Sequence, residues 1–233
     1  MQEPHEKAEF QIKRLDQARQ DIQSLERYGP IFSSHKWLSL LENSLGLKYR
    51  VAVWHDDGVP IAYFPYVEKR IGTFRVNFSP LIGTETAYGG VTSKKDEITD
   101  FLTSLKKTMS FFIIPPPKAK IKRNLFYHEP KFTIVNKLEE NAESYFHKIR
   151  KGHRYCIKKA LRSNVLVEEG YTKADLTQYY SLIKHTYEES GISPLPSKFY
   201  FNVMETFHEN GNLKLFFATY EGEKIAAICV LKW

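Results

Sequence analysis

The chain has 233 residues, of which 42% are hydrophobic and 14% aromatic, and its formal net charge is +7 at pH 7. This composition excludes a disordered chain and predicts a globular protein with one large domain or two small ones. No apolar run of about 18 residues could span a bilayer, and the polar start of the chain excludes a secretory signal, so we expect a cytoplasmic protein.

The cysteines and the charge limit the chemistry further. Cys156 and Cys229 lie in apolar contexts without metal-ligand spacing, which favours reduced core thiols over a disulfide or a zinc site. We therefore expect no bound metal. The excess of cations favours anionic partners, which include RNA, nucleotide-linked substrates and anionic lipid head groups, and charge alone does not choose among them.

The first part of the chain predicts helices followed by a hairpin. Residues 5–27 have a helical pattern of apolar positions, which predicts an N-terminal helix. Ser33 or Ser34 can cap a second helix, which Gly46 ends. Alternating apolar residues on both sides of an Asp-Asp-Gly turn then predict a hairpin over residues 50–67.

Strands and helices alternate beyond this hairpin. The proline run at residues 115–117 cannot continue a central strand, and it precedes a basic stretch, so we place a domain boundary just after that stretch. The predicted elements are strands at 74–80, 110–114 and 132–135, helices at 96–107, 173–190 and 198–210, and a last hairpin at 214–231.

The last hairpin repeats a phrase of the first one. Four positions recur at a constant offset of 164 residues. The pairs are Asp57 with Glu221, Gly58 with Gly222, Ile61 with Ile225, and Ala62 with Ala226. A repeat at domain-scale separation predicts a duplicated fold, and the alternative is a coincidence between two hairpins with similar turns.

Residues 143–164 hold most of the net charge, because they contain seven Lys/Arg and one acidic residue, Glu143. Turned at 100° per residue, they predict one amphipathic helix that Asn141 or Ser144 caps. Its apolar arc is predicted to pack on a sheet, with His153 as a core histidine rather than a catalytic base. The arc consists of Phe146, Ile149, His153, Cys156, Ile157 and Ala160.

The opposite face of this helix is the candidate binding site. Arg150, Arg154 and Lys158 follow each other at intervals of four residues, so their side chains can converge on a diphosphate or a nucleic-acid backbone. The face has no Glu residues at i±4 to neutralise it. The alternative is a solvated basic face that binds nothing.

The same segment resembles the start of the second domain of the FemAB family. Within HKIRKGHRYCIKKALRSNVLVEEG, the family pattern K-x-x-R-x-x-I-x-K-A is matched by Arg154, Ile157, Lys159 and Ala160, and a short strand follows at residues 164–168. The aromatic-Gly-Gly phrase at Tyr88 resembles the family as well. The acyl-CoA signature of a basic residue followed by spaced glycines is absent, so we expect this glycine pair to form a structural turn.

The resemblance implies an α/β (α+β) fold with two GNAT-like acyltransferase units. We expect an N-terminal helix over residues 1–28, a first unit over 29–130 and a second over 131–233. The second unit is expected to be incomplete, which leaves an edge strand that allows self-association with another chain. We expect a chain of this kind to have little transferase turnover.

The resemblance also implies a function, which is acyl transfer to an amine of a phosphate-bearing, cell-wall-precursor-like acceptor. Relatives take the aminoacyl group from aminoacyl-tRNA. The implied partners are an anionic or lipid-linked substrate and tRNA, without DNA. Two alternatives stay open, an acyl-CoA-dependent N-acetyltransferase acting on a sugar or amino acid and a non-enzymatic module for RNA or anionic surfaces. The sequence assigns no catalytic residue.

Overall fold

The computed structural model describes residues 10–122, 127, 136, 141–209 and 211–233. The chain divides into two compact units, here called the first unit (residues 1–130 with Trp233) and the second unit (residues 131–232). The predicted domain limits stay a prediction. The strand predicted at residues 132–135 lies outside the described residues.

The described part of the first unit contains strands, helices and two single 3-10 turns. The strands and helices are β1 (Phe10–Arg14), α1 (Arg19–Leu25), α2 (His35–Leu45), β2 (Tyr49–Asp56), β3 (Val59–Ile71), β4 (Phe74–Ser79), β5 (Thr92–Ser93), α3 (Thr99–Lys106) and β6 (Phe111–Ile113). The strands pair in the order β1-β2-β3-β4-β6, with β5 beside β3, and only the β4–β6 pair is parallel.

The centre of this sheet is covered on both faces. Residues 51–54 of β2 and 62–67 of β3 are all buried, as expected for central strands rather than for a sheet with one wet face. Trp54 anchors the core, because its ring centroid lies 5.2 Å from that of Phe101 on α3 and its indole N–H donates to Ser104 Oγ at 3.1 Å. Burial of such an aromatic residue contributes on the order of 3 kcal/mol.

The predicted N-terminal helix is wrong over part of its length. Residues 10–14 form β1, whose Phe10 pairs with Trp54 and packs against its ring at a centroid distance of 5.2 Å. Pairing with a sheet edge and one buried aromatic contact override a weak helical pattern. The helix that follows, α1, is only seven residues long.

The second predicted helix is confirmed with both of its ends. The Ser34 hydroxyl accepts a hydrogen bond from the Trp37 N–H at 3.2 Å, and Gly46 ends α2 in the left-handed conformation with φ 65°. An L side chain avoids this conformation, which explains the glycine. Leu41 of α2 is fully buried.

The described part of the second unit begins with a short helix, α4, and three longer helices and a hairpin follow. Its described elements are α4 (Ala142–Lys148), α5 (Lys151–Arg162), β7 (Leu166–Glu169), α6 (Lys173–Glu189), α7 (Ser197–His208), β8 (Leu213–Tyr220) and β9 (Glu223–Leu231). The strands form an antiparallel sheet in the order β7-β8-β9. Helices α6 and α7 pack on one face, where Phe207, Leu215 and Phe217 are fully buried.

The two hairpins have equivalent geometry around the turn. The limits of β2 and β3 at the turn, 56 and 59, reappear at 220 and 223 in β8 and β9. The register also breaks at equivalent places, after the pair Trp54–Ala62 and after the pair Ala218–Ala226. This agreement supports the predicted duplication, and the predicted α/β fold class is confirmed.

The turns of the two hairpins are equivalent as well. Asp57 and Gly58 have φ values of 47° and 76°, and Glu221 and Gly222 have values of 49° and 84°. Two successive residues with positive φ define the type I′ turn, whose twist matches that of the flanking strands. Within the described sheet β9 lies at an edge, and self-association through it stays a prediction.

The predicted helix at residues 143–164 is two helices rather than one. Ile149 and Arg150 separate α4 from α5 with extended backbone, at ψ values of 154° and 146°. A face drawn at 100° per residue does not continue across such a break. Gly152, a poor helix former near the break, weakens the continuous helix further.

Candidate anion-binding site

The predicted cap of the basic segment is confirmed. The Asn141 side chain accepts a hydrogen bond from the Ser144 N–H at 2.7 Å and so begins α4. This bond satisfies one of the N–H groups that a helix start leaves without a partner. The segment from α4 to α5, residues 142–162, is called the basic segment below.

Arg154 holds the break between the two helices together. Its Nη1 donates to the carbonyl oxygens of His147 and Ile149, both at 2.7 Å. These carbonyls belong to the end of α4, where a helix leaves its last C=O groups unpaired and where a cation is favoured. Both hydrogens on Nη1 are donated to these two carbonyls, and the other three N–H groups of the guanidinium take no part in these bonds.

The first turn of α5 is a place of concentrated positive potential. Arg150 precedes the helix, and no side chain caps it, so the backbone N–H groups of the first turn have no partner within the helix. The first turn contains no acidic residue, and a Cβ added at Gly152 would meet nothing within 4 Å. The helix dipole, the cations and the open space beside Gly152 together favour an anion here.

The three predicted site residues lie along one side of this helix start. Arg154 and Lys158 are one turn apart on α5, and the carbonyl of Arg150 accepts the Arg154 N–H at 3.1 Å, which places Arg150 one turn earlier. Arg150 and Lys158 are exposed, whereas Arg154 is half-buried by its bonds to α4. The row spans about 12 Å at a rise of 1.5 Å per residue, so it fits an extended polyanion better than a single phosphate.

The predicted apolar arc of the basic segment is not buried. His153 and Cys156 are exposed, and α5 contains no buried residue, so the prediction of a core histidine and a core thiol at these positions is wrong. Both residues lie within the unbroken helix α5, so their exposure means that no described element covers this side of the helix. Cys229 is closer to the predicted core thiol. It is only partly exposed, and burial raises the pKa of its thiol to about 11.

A second polar cluster in this unit was not predicted from the sequence. Asp175 accepts hydrogen bonds from the N–H and the hydroxyl of Thr172, both at 2.8 Å, and from Lys224 of β9, whose ammonium lies 4.1 Å from the centre of the Phe217 ring. The Lys224 hydrogen bond is the main cause that lowers the pKa of Asp175 to about 2. The Thr-x-x-Asp spacing predicts the helix cap, but nothing in the sequence indicates that Lys224, 49 residues away, pairs with Asp175.

The glycine pair in the first unit forms a structural turn. The Gly89 N–H donates to the Ile114 carbonyl at 2.8 Å, and the Gly90 N–H donates to Ser79 Oγ at 2.7 Å. A Cβ at residue 89 would lie 2.4 Å from two backbone atoms, which only glycine avoids. Both N–H groups are therefore used within the protein rather than offered to a donor pyrophosphate.

Two kinds of feature are absent among the described residues. In these ranges, no three His, Cys, Asp or Glu side chains come together as metal ligands. None of the helices in the same ranges combines the length and the apolar character that crossing a bilayer requires.

Comparisons with known proteins show which family part of the chain resembles. Residues 122–224 match the model of the FemAB family. Five chains of solved structures match, and one of them is a crystal structure of FemX, with a TM-score of 0.51 and 16% identity over 90% of this chain. The chain spans 57% of the FemX chain, so it covers little more than half of that relative. No curated protein matches the sequence. The matched segment extends from before the basic segment into β9, and this part of the chain is similar to the FemAB family.

Proposed function

We propose that the chain acts in aminoacyl transfer, from aminoacyl-tRNA to an amine of a phosphate-bearing cell-wall precursor. The observation that carries the proposal is the FemAB match over residues 122–224, which includes the whole basic segment. Both substrates are polyanions. An exposed cationic surface favours such ligands and raises their rate of association.

The basic segment has a binding role in this proposal rather than a chemical one. In the reaction, the amine nitrogen attacks the carbonyl carbon of the aminoacyl ester, the C–O bond to the tRNA ribose breaks, and the amine loses a proton to a base or a water. Arg150, Arg154 and Lys158 do not suit the role of that base, because guanidinium and ammonium groups are hydrogen-bond donors and offer no acceptor for a proton. Their positive charges are suited to binding the phosphates of the two substrates.

The three cations have different tasks within this binding role. Arg154 is fixed by its two bonds to the end of α4, so it can orient the first turn of α5 and still offer its remaining N–H groups to a phosphate. Lys158 and Arg150 are exposed and form no such bonds among the residues that the structure describes, so they contribute charge and adjust to the ligand.

An acyl-CoA donor is the alternative within the same chemistry. A donor pyrophosphate needs free backbone N–H groups at a turn or a helix start. The glycine pair at residues 89–90 uses its N–H groups for Ile114 and Ser79, which favours aminoacyl-tRNA over acyl-CoA at this turn.

Binding to tRNA and to a nucleotide-linked precursor, measured against salt concentration, tests the proposal. We expect Lys158→Ala to reduce the slope of log affinity against log salt by about 1, because one phosphate contact is lost. Lys184→Ala is the matched control, since Lys184 is an exposed helix lysine that pairs with Glu188 at 3.6 Å. Equal slopes for both variants and the parent would contradict a binding role for the basic segment.

A single-turnover assay with the protein in excess separates transfer from binding alone. Mass spectrometry of the precursor after incubation with aminoacyl-tRNA should show the gain of one aminoacyl group. Binding of tRNA without any such product would favour the non-enzymatic alternative. The expected low turnover stays a prediction that the rate in this assay measures.

A further inference from the structure

The hairpin of β3 and β4 extends beyond the rest of the first-unit sheet. β3 has 13 residues, and β2 pairs with it only as far as Val67. Residues 68–71 pair only with β4 within the described part of the chain. Gly72, at φ 61°, and Thr73 form a two-residue turn at the end. The hairpin tip, residues 68–75, therefore projects from the sheet, and each of its residues is exposed.

Two large apolar side chains lie at the end of this tip. Ile71 and Phe74 are directly opposite each other in the register, and they are 56% and 74% exposed. Residues opposite each other in an antiparallel pair point to the same face, so the two side chains form one apolar patch. Single exposed apolar residues are common, but a paired Ile and Phe at the end of a projecting hairpin marks an interaction site.

Cations flank this patch in the sequence of the hairpin tip. Arg70 and Arg75 are directly opposite each other on the other face of the hairpin, and Lys69 is next in the chain. Like charges at opposed positions destabilise a strand pair. The acidic residue nearby, Glu68, lies 3.7 Å from Arg75, where both side chains are largely exposed, so it offsets little of the charge.

We propose that the hairpin tip docks on an anionic lipid surface. Ile71 and Phe74 enter the boundary between head groups and acyl chains, and Lys69, Arg70 and Arg75 bind lipid phosphates around them. Apolar insertion and attraction to anionic lipid add together in surface binding of this kind. The proposal concerns the first unit and does not depend on the proposed function of the second.

A membrane fits the tip better than RNA or a protein does. An RNA site would explain the cations and one stacking ring, but it has no use for an exposed isoleucine. A stable protein interface buries on the order of 800 Å² on each partner, whereas two apolar side chains on a narrow projection offer far less. A lipid surface is fluid, so it can bind a narrow projection without a pocket of complementary shape.

Vesicle sedimentation with the whole chain tests the proposal. We expect binding to vesicles of phosphatidylcholine with phosphatidylglycerol, and much weaker binding to phosphatidylcholine alone. Replacing Ile71 and Phe74 by Ser should lower the affinity on the order of tenfold. Replacing Arg70 and Arg75 by Gln should lower it about fivefold per charge and should reduce the salt dependence.

Matched controls lie at the other end of β3. Val59 is 56% exposed beside the opposite turn, and Lys94 is an exposed cation just after β5, so Val59→Ser and Lys94→Gln should bind as the parent does. Phe74→Trp gives a direct readout, because insertion shifts the added indole emission to the blue. Circular dichroism checks that each variant is folded.

Three results would overturn the proposal. They are no binding of the parent to anionic vesicles, equal loss in the control and tip variants, and tip variants that lose RNA binding while vesicle binding is unchanged. The last result would make the tip an RNA site. Because tRNA binding by the basic segment is measured with Lys158→Ala, failure of one proposal is distinguishable from failure of the other.

Discussion

The Asp175–Lys224 pair offers a sharp test of how the second unit is held together. Asp175 caps α6 through Thr172 and binds Lys224 of β9, so one carboxylate joins the helix start to the last strand. The side chains of Asp175 and Lys224 are only 13% and 23% exposed, so both charged groups are largely desolvated. Removing one partner leaves the other without full solvation.

The expected loss follows from these contacts. Asp175→Ala removes the cap, which costs about 1 kcal/mol, and leaves the Lys224 ammonium without its carboxylate, which costs about 1–3 kcal/mol more. The free energy of unfolding of the second unit should fall by about 2–4 kcal/mol. The control is Lys214→Met, which breaks the pair of Lys214 with Glu169 at 3.1 Å, 41% and 38% exposed, and should cost below about 1 kcal/mol.

Hydrogen exchange measured on peptides of α6 and β8 reports on the second unit by itself. A double-mutant cycle with Lys224→Met should give a coupling of about 1–2 kcal/mol. If Asp175→Ala and Lys214→Met changed the exchange rates equally, the argument from burial would be refuted.

The same pair predicts a pH dependence. The pKa of Asp175 is lowered to about 2, first by the hydrogen bond from Lys224, whereas the ordinary value is 3.8. Because the folded pKa lies below the unfolded one, the carboxylate contributes stability above about pH 4, and this contribution is lost as the pH falls towards 2. Thermal melting of the parent and Asp175→Asn should therefore converge in acid. A constant difference in Tm would contradict this.

Three further outcomes are expected. Gly89→Ala should cost the first unit about 1–3 kcal/mol, because the added Cβ meets backbone atoms at 2.4 Å; an unchanged urea midpoint, followed by tryptophan fluorescence, would contradict this. Arg154→Ala should speed amide exchange in α4, since two bonds to its last carbonyls are lost, whereas Lys158→Ala should not. Glu221→Asn should stabilise by about 0.5 kcal/mol, because residue 221 has φ 49° and Asn tolerates this conformation better; a lower Tm would refute it.

Local signals in the sequence predicted local structure well. A cap depends on residues three positions apart, so Ser34 and Thr172 could be recognised as helix starts from the chain itself. The type I′ turns were recognisable for the same reason, since an acidic residue followed by Gly fits two positive φ values.

The basic segment shows where such reasoning stops. Its amphipathic pattern assumed one helix, but Arg154 pairs with carbonyls at the end of α4 and stabilises a break instead. A long-range or broken arrangement of this kind depends on tertiary geometry, which a periodic pattern does not contain. Arg150, Arg154 and Lys158 still form one row despite the break, because they lie one turn apart within or next to α5.

The two equivalent hairpins show that a sequence repeat determines the turn geometry but not the burial of the strands. Ala62 is fully buried in β3, which has neighbours on both sides, whereas the equivalent Ala226 is exposed in β9, which pairs only with β8 in the described chain. The turn, the strand limits beside it and the register break are equivalent because they depend on a few adjacent residues. Burial depends on which other elements cover the strands, so the same local sequence becomes a central core strand in one unit and an exposed edge in the other.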